Sequence, residues 1–202
     1  MSLTRRGVLA AGAAAGLVSS GLAAQAAVTA PGPSRELLRR ALAALDRHGA
    51  KIPQRDLMAV VDFSQPSRLQ RFHLVETATG RVSSHLVAHG RGSDPGHTGW
   101  LERFSNENGS NASCAGAFRT DDYYVGAHGR SLRLTGLDTS NSNAQARGIV
   151  VHGAWYVSPE MARTHGVLGR SEGCFAFSTD SLKEVMERLG PGHMIYADKI
   201  SA

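Results

Sequence analysis

From residue 56 onward the chain alternates short apolar segments with stretches rich in Gly, Ser, Asn and Asp. Short apolar runs enriched in β-branched and aromatic residues and bounded by such turn residues are typical of strands. The pattern therefore predicts a mainly β fold with a few peripheral helices. We predict strands at residues 57–63, 71–76, 81–87, 116–120, 131–134, 148–152 and 193–197. Residues 89–113 show neither a strand-like nor a helix-like apolar pattern. They are predicted to form a long loop, a kind of segment that is often functional.

Three helices are predicted around these strands. The first has Ser34 as N-cap and Gly49 as C-cap, and its apolar stripe should pack on the outside of the main sheet. The second has Ser158 as N-cap and Pro159 at its first position. The third begins near Ser178, so Cys174 is expected shortly before a helix.

The first 26 residues have the pattern of a signal peptide. Arg5 and Arg6 precede a weakly apolar, Ala- and Gly-rich stretch, and Ala24-Gln25-Ala26 is a small-x-small cleavage site. The arginine pair favours a twin-arginine signal and a location in the periplasm or cell envelope. A retained anchor is the alternative, but the stretch is short for a spanning helix, so no stable membrane insertion is expected after cleavage. We divide the chain into a signal peptide (1–26), a linker and helix (27–54) and a catalytic domain (55–202).

Charge and motifs limit the classes of partner. The net charge is +5, and removing residues 1–26 with their two arginines lowers it to +3. The remaining basic residues are scattered, which argues against nucleic acid. The histidines show no zinc-binding spacing, so we predict neither a metal nor another cofactor. The oligomeric state is left open.

The densest group of reactive residue types runs from His152 to Cys174. His152 ends an apolar strand and is followed by Gly153, and Cys174 follows 22 positions after His152, directly after Gly173. A thiol attacks only as thiolate, and a nearby imidazole can accept its proton. Gly173 permits a tight turn whose amide groups would face a developing oxyanion, and Ser171 would support that turn or orient the histidine.

Cys114 is the second cysteine of the chain. In an oxidising compartment two cysteines suggest one structural disulfide. A permanent Cys114–Cys174 disulfide, a reversible redox switch and an unpaired Cys114 are the three alternatives. The first would exclude Cys174 as a nucleophile.

The segment Gly169-Arg170-Ser171-Glu172-Gly173-Cys174, with His152-Gly153 upstream, resembles the signature of YkuD-type L,D-transpeptidase catalytic domains. Further segments resemble the murein L,D-transpeptidase-like subfamily, namely residues 88–93, 103–106 and 152–158. The resemblance spans roughly residues 55–200. It implies a β-sandwich or barrel-like catalytic domain that acts on peptidoglycan stem peptides.

By this resemblance Cys174 is the nucleophile, His152 is the base, and the backbone of Gly153 orients the imidazole. Ser171 and Gly173 shape the turn at the nucleophile. The acyl group would pass to an amine of a second stem, giving 3→3 or 1→3 cross-links. A hydrolase that uses the same acyl-enzyme, and a non-catalytic peptidoglycan-binding module, are the alternative functions.

Two departures from the family pattern concern the same turn. Most members carry His before the Gly-Cys pair, where this chain has Glu172, and most carry an Arg soon after the Cys, where this chain has Phe175-Ala176-Phe177. A carboxylate here would oppose thiolate formation unless it faces away or pairs with a cation. Arg170 is expected to take over carboxylate binding. The candidate substrate-binding residues are Arg170, Glu172, Trp155, His89 and Phe118.

Overall fold

Eight strands form one mixed sheet in the order β3-β2-β1-β8-β4-β5-β6-β7. The computed structural model describes residues 32–200, so the predicted signal peptide lies outside the described residues. Strands β1 and β8 are parallel, as are β6 and β7, and the other neighbours are antiparallel. The strands are β1 (Leu57–Asp62), β2 (Phe72–Glu76), β3 (Val82–His85), β4 (Gly116–Gly126), β5 (Gly129–Gly136), β6 (Val150–Gly153), β7 (Phe175–Phe177) and β8 (Met194–Asp198).

The two edges of this sheet approach each other beside the residues of interest. Ala88, three residues after β3, forms an antiparallel bridge with Ala176 of β7, and its N–H donates to the Ala176 carbonyl at 3.0 Å. β7, at one edge of the sheet, is thus paired on one side with β6 and on the other with the segment that follows β3. This arrangement agrees with the predicted mainly β, barrel-like domain.

The sheet separates two apolar cores. On one face, alternate residues of β1 pack with α1, Arg35–Arg47, through Leu37, Ala41 and Leu45. On the other face, the remaining residues of β1 pack with aromatic side chains from β4 and β7 and with α3, Thr179–Arg188. Side chains of a strand point alternately to the two faces, so a strand buried on both, such as β1, is apolar in a continuous run, here from Leu57 to Val61.

The predicted helices are confirmed, with one correction at a terminus. The hydroxyl oxygens of Ser34, Ser158 and Ser178 accept hydrogen bonds from the first turns of α1, α2 (Pro159–His165) and α3, respectively. Gly49 does not cap α1, because His48 occupies the C-cap and Gly49 starts a 3₁₀ turn, Gly49–Lys51. No helix within residues 32–200 is long and apolar enough to cross a membrane.

Two elements near the reactive residues differ from the prediction. Cys174 is followed directly by β7, because Phe175 and Phe177 continue the sheet beside β6 before α3 begins. β4 is also longer than predicted, and with β5 it forms a hairpin whose turn contains Ala127 and His128. The predicted long loop is confirmed, and it contains an isolated bridge from Gly90 to Ser171 and a 3₁₀ turn at Arg91–Ser93.

Candidate active site

The pairing of β6 with β7 places Cys174 and His152 on one face of the sheet. Val151 pairs with Phe175, and both side chains are buried in the core. Side chains alternate along a strand, so His152 and Cys174 face the opposite side, where they line one open cleft of about 620 Å³. His152 pairs with Ala176, so His152 and Cys174 are diagonal neighbours. Strand spacing and rise place their Cα atoms about 8 Å apart. The cleft is lined by Arg91, Tyr124, Ala127, His128, Arg147, Gly148, Val150, His152, Tyr156, Arg170, Ser171, Glu172 and Cys174.

His152 is held in one tautomer. Its Nδ1 lies 2.9 Å from the carbonyl oxygen of Gly153. A carbonyl only accepts hydrogen bonds, so Nδ1 carries the proton and Nε2 keeps a lone pair. The imidazole is stacked on that of His128, with ring centroids 4.2 Å apart. Burial, and secondarily the charge of His128, hold the pKa of His152 below its usual range, so the imidazole is a neutral acceptor at neutral pH.

The thiol of Cys174 is protonated at rest. Burial raises its pKa and the carboxylate of Glu172 adds to this, while the Val150 N–H and the guanidinium of Arg147 act in the opposite direction. The thiol contacts the carbonyl oxygen of Gly148 at 3.5 Å. The resting site is therefore a neutral thiol and a neutral imidazole in one cleft, rather than a thiolate–imidazolium pair.

The turn before Cys174 depends on Gly173 and Ser171. Gly173 has φ of +117°, and a Cβ there would lie 2.6 Å from the carbonyl oxygen of Ala112, so only glycine fits. The Ser171 hydroxyl accepts from the Gly173 N–H at 3.1 Å and donates to the Cys174 carbonyl at 2.8 Å. The Gly173 N–H, expected from the sequence to face an oxyanion, is thus engaged within the turn.

A segment of the long loop supports this turn from behind. The Ser171 N–H donates to the His89 carbonyl at 2.9 Å, and the Arg91 N–H donates to the Ser171 carbonyl at 2.8 Å. The His89 side chain points away from the cleft into a buried network, between Arg71 at 2.9 Å and Asp94 at 3.2 Å. Because an arginine only donates, His89 Nδ1 accepts and Nε2–H donates to the carboxylate.

Two residues expected to touch substrate are buried instead. His89 is 1% exposed and is not part of the cleft wall. Phe118 is fully buried and packs edge-on against Phe175, with ring centroids 5.4 Å apart. The alternation of side chains along β4 turns Phe118 into the core, where it packs against the residue after Cys174, so neither Phe118 nor His89 lines the cleft.

Trp155, in contrast, is exposed to solvent. It is 84% exposed and outside the cleft, and it meets the cleft residue Tyr156 edge-on at a centroid distance of 5.8 Å. The structure thus places Tyr156, not Trp155, at the wall. A sequence pattern cannot distinguish two adjacent aromatic residues in a loop, where side chains have no fixed alternation.

Arg170 and Glu172 both lie in the cleft, as expected. Arg170 donates from Nη1 to the carbonyl oxygens of Asp94 and Pro95, which fixes part of its guanidinium. Glu172 forms an ion pair with Arg91 at 2.8 Å, with both side chains more than half exposed. Glu172 was expected to oppose thiolate formation less if it faced away or paired with a cation, and it does pair with a cation.

Both cysteines are free thiols. Cys114 is buried, and Nη1 of Arg147 contacts its sulfur at 2.8 Å. Of the three alternatives, the free thiols argue against the permanent disulfide. Arg147 and His128 are cleft residues that the sequence did not single out. The position of Arg147 directly before the strand that carries His152 was the available signal.

The family model described as the L,D-transpeptidase catalytic domain matches residues 30–197, and this chain belongs to that family. The solved structures to which this chain is similar include an L,D-transpeptidase from Mycobacterium smegmatis, with 15% identity, a TM-score of 0.44, and coverage of 71% of this chain and 58% of that one. L,D-transpeptidase 1 from Mycobacterium tuberculosis has 15% identity, a TM-score of 0.39, and coverage of 71% and 61%. The helical cell shape determining protein Pgp2 from Campylobacter jejuni has 12% identity, a TM-score of 0.44, and coverage of 78% and 56%. The chain thus spans less than two thirds of each of these proteins. No curated protein sequence matches it.

Proposed function

We propose that this chain is an exported L,D-transpeptidase in which Cys174 is the nucleophile and His152 the general base, acting on peptidoglycan stem peptides in the cell envelope. The observation that carries the proposal is that both side chains face one open cleft, His152 from β6 and Cys174 from the turn directly before β7, in a chain that belongs to this family. The fixed tautomer of His152, with Nε2 available, supports its role as the base.

The reaction has two acyl transfers. In the first, the thiol proton moves to Nε2 of His152 while the sulfur attacks the carbonyl carbon between an L-centre and a D-residue. The C–N bond breaks, and the leaving amine takes the proton from the imidazolium, which leaves a thioester on Cys174. In the second, an acceptor amine attacks the thioester, its proton returns through His152 to the sulfur, and a new amide is released.

The cleft has the charge needed for a substrate with several carboxylates. Arg91, Arg147 and Arg170 line it, against one acidic side chain, Glu172. Guanidinium groups bind carboxylates through two parallel hydrogen bonds. Since the Gly173 N–H is engaged by Ser171, the backbone donor next to the sulfur is the N–H of Cys174 itself, which we assign to the oxyanion.

Covalent trapping tests the nucleophile. Folded, reduced protein is incubated with imipenem, a carbapenem of the class that acylates this family, and the intact mass is measured. We expect one adduct on the natural chain, none on Cys174→Ala, and an unchanged adduct on Cys114→Ala, whose thiol is buried outside the cleft. An adduct that persists in Cys174→Ala, or none on the natural chain, would contradict the proposal and favour a non-catalytic peptidoglycan-binding module.

Product masses then identify the acceptor. Purified muropeptides are incubated with the enzyme, and a dimer linked 3→3 or 1→3 is expected, according to which stem residue supplies the acyl group. A shortened monomer with no dimer would instead identify a hydrolase that uses the same acyl-enzyme, because only the molecule that accepts the acyl group differs.

A further inference from the structure

We propose that Arg147 is the cation that stabilises the sulfur of Cys174 when it becomes negatively charged during attack. This role rests on the proposed function of Cys174 as nucleophile. Neither the motif around the cysteine nor the histidine segment contains this arginine, which lies five residues before His152 in the chain.

Arg147 is held in place by groups that carry no charge. Its Nη1 donates to the carbonyl oxygen of Ser105 at 2.7 Å and to the sulfur of Cys114 at 2.8 Å, and its Nη2 donates to the carbonyl oxygen of Ala112. Its own N–H donates to the Asn143 carbonyl at 2.8 Å, which anchors the backbone just before β6. The guanidinium is therefore fixed before any substrate binds.

The guanidinium lies against the turn that presents the nucleophile. A Cβ built on Gly173, the residue before Cys174, would be 3.1 Å from Nη2 of Arg147. Arg147 and Cys174 line the same cleft, and the sulfur of Cys174 contacts the carbonyl of Gly148, the residue after Arg147. Cys174 is thus next to Arg147 in two ways: its sulfur contacts the residue after Arg147, and the residue before it lies against the guanidinium.

No carboxylate within residues 32–200 neutralises the charge of Arg147. Glu172, the acidic side chain of the cleft, is paired with Arg91. The described side-chain contacts of Arg147 are to two carbonyl oxygens and a sulfur. A guanidinium stays protonated throughout the physiological pH range. In a partly buried site its field is weakly screened, so it favours a nearby anion more than a surface arginine would.

Other charged groups around Cys174 act differently. The carboxylate of Glu172 raises the pKa of the thiol, adding to the larger effect of burial, whereas Arg147 lowers it. Arg91 is paired with Glu172. Arg170 has no carboxylate partner within residues 32–200 either, but its guanidinium is turned to the carbonyls of Asp94 and Pro95 in the long loop. Burial keeps the imidazole of His152, which stacks on His128, neutral by lowering its pKa, and the phenol of Tyr156 carries no positive charge in either of its states. Arg147, whose guanidinium lies against Gly173, is thus the cleft arginine whose charge favours the thiolate of Cys174.

The test measures thiol ionisation without requiring catalysis. Alkylation of Cys174 by iodoacetamide is followed between pH 6 and 10, with peptide masses separating it from Cys114. Arg147→Gln removes the charge, and Arg147→Lys keeps the charge but loses the planar fork. We expect Arg147→Gln to shift the alkylation profile to higher pH and to slow alkylation at neutral pH about tenfold, the effect of one pKa unit. The alkylation rate of Arg147→Lys should stay within about threefold of that of the natural chain, which corresponds to about half a pKa unit.

A merely structural role predicts another outcome. Both variants lose contacts to Ser105 and Ala112, so both should lower the melting temperature. If the alkylation profiles of both variants match the natural chain, or if both shift equally, the proposal is wrong. Should Arg147→Gln fail to fold, Arg147→citrulline, which is nearly isosteric and neutral, is used in its place with the same expectation.

The proposed function and this inference fail separately. An absence of any imipenem adduct on the natural chain would contradict catalysis by Cys174 but would leave the alkylation profile readable. A normal adduct together with unshifted alkylation in the neutral variant would leave the enzyme in place and remove Arg147 from its mechanism.

Discussion

Cys174 and His152 are offset along the β6–β7 pair, because His152 lies opposite Ala176, two residues beyond the cysteine. The imidazole therefore approaches the thiol diagonally across one face of two parallel strands. The carbonyl of Gly153, in the same strand, fixes the ring through Nδ1. The imidazole is thus oriented by the main chain, and no acidic side chain within residues 32–200 is bonded to it.

His152→Gln should slow acylation of Cys174 by imipenem by about 10²–10⁴-fold, the usual contribution of a general base. The glutamine keeps a polar side chain of similar reach but cannot accept the thiol proton. Stopped-flow or time-resolved mass measurement of adduct formation gives the rate. His128→Gln is the matched control, because it removes the stacked exposed imidazole and leaves Nε2 of His152 in place. Equal rates for His152→Gln and the natural chain would exclude His152 as the base.

Gly173→Ala should abolish acylation and lower the free energy of unfolding by about 1–3 kcal/mol or more, the cost of a strained backbone residue. The added methyl group would meet the backbone oxygen of Ala112 at 2.6 Å, at a φ of +117°. Gly80→Ala separates strain from contact, since Gly80 has φ of +70° and nothing within 4 Å of the added group. Denaturant unfolding should show a smaller loss for Gly80→Ala, and its acylation rate should be unchanged. A Gly173→Ala chain that acylates normally would contradict the described turn.

The chemistry-bearing turn could be predicted from the sequence because it is local. In Ser171-x-Gly173-Cys174 the hydrogen bonds of the Ser171 hydroxyl, to the Gly173 N–H and the Cys174 carbonyl, join residues within three positions of each other. The capping serines of the helices were found for the same reason.

What the sequence could not give was which residues meet across the sheet. Phe118 has the composition of a groove residue, but the register of β4 with β8 turns it into the core. β7 is three residues long, too short for a periodicity signal. Arg147 enters the site through contacts to Ser105 and Ala112, more than 30 positions away, which no spacing rule covers.

The rate of acylation should depend on pH through both partners. Burial, followed by the charge of His128, lowers the pKa of His152, so the loss of rate in acid should have its midpoint below about 6.5, the ordinary histidine value. The pKa of Cys174 is raised, so thiolate formation should increase the rate further only above its ordinary range near 8.5. A profile that is already flat at its maximum by pH 7 would contradict the neutral resting pair.

Glu172→Gln should move the alkaline rise of this profile to lower pH, because the carboxylate raises the pKa of Cys174. The side chain is largely exposed, so the shift should be a fraction of a pH unit and should shrink as salt is added. Adduct formation measured at low and high ionic strength checks this. A shift to higher pH would mean that Glu172 supports the thiolate in some other way.

Acid should destabilise the fold before the carboxylates titrate. Burial lowers the pKa of His89 to about 3, helped by the charge of Arg71, and burial lowers the pKa of His73 to about 4. Between these values and about 6.5 the unfolded chain binds more protons than the folded one, so stability falls as pH decreases through that window. Each histidine contributes a slope of up to about 1.4 kcal/mol per pH unit.

Urea unfolding at pH 7 and at pH 4.5 measures this loss of stability. His89→Gln should reduce it, even if the variant is less stable at both pH values. His165→Gln is the matched control, because that histidine is exposed at the end of α2 and should leave the pH dependence unchanged. A His89→Gln chain with the full pH dependence of the natural protein would show that His89 is not held neutral between Arg71 and Asp94.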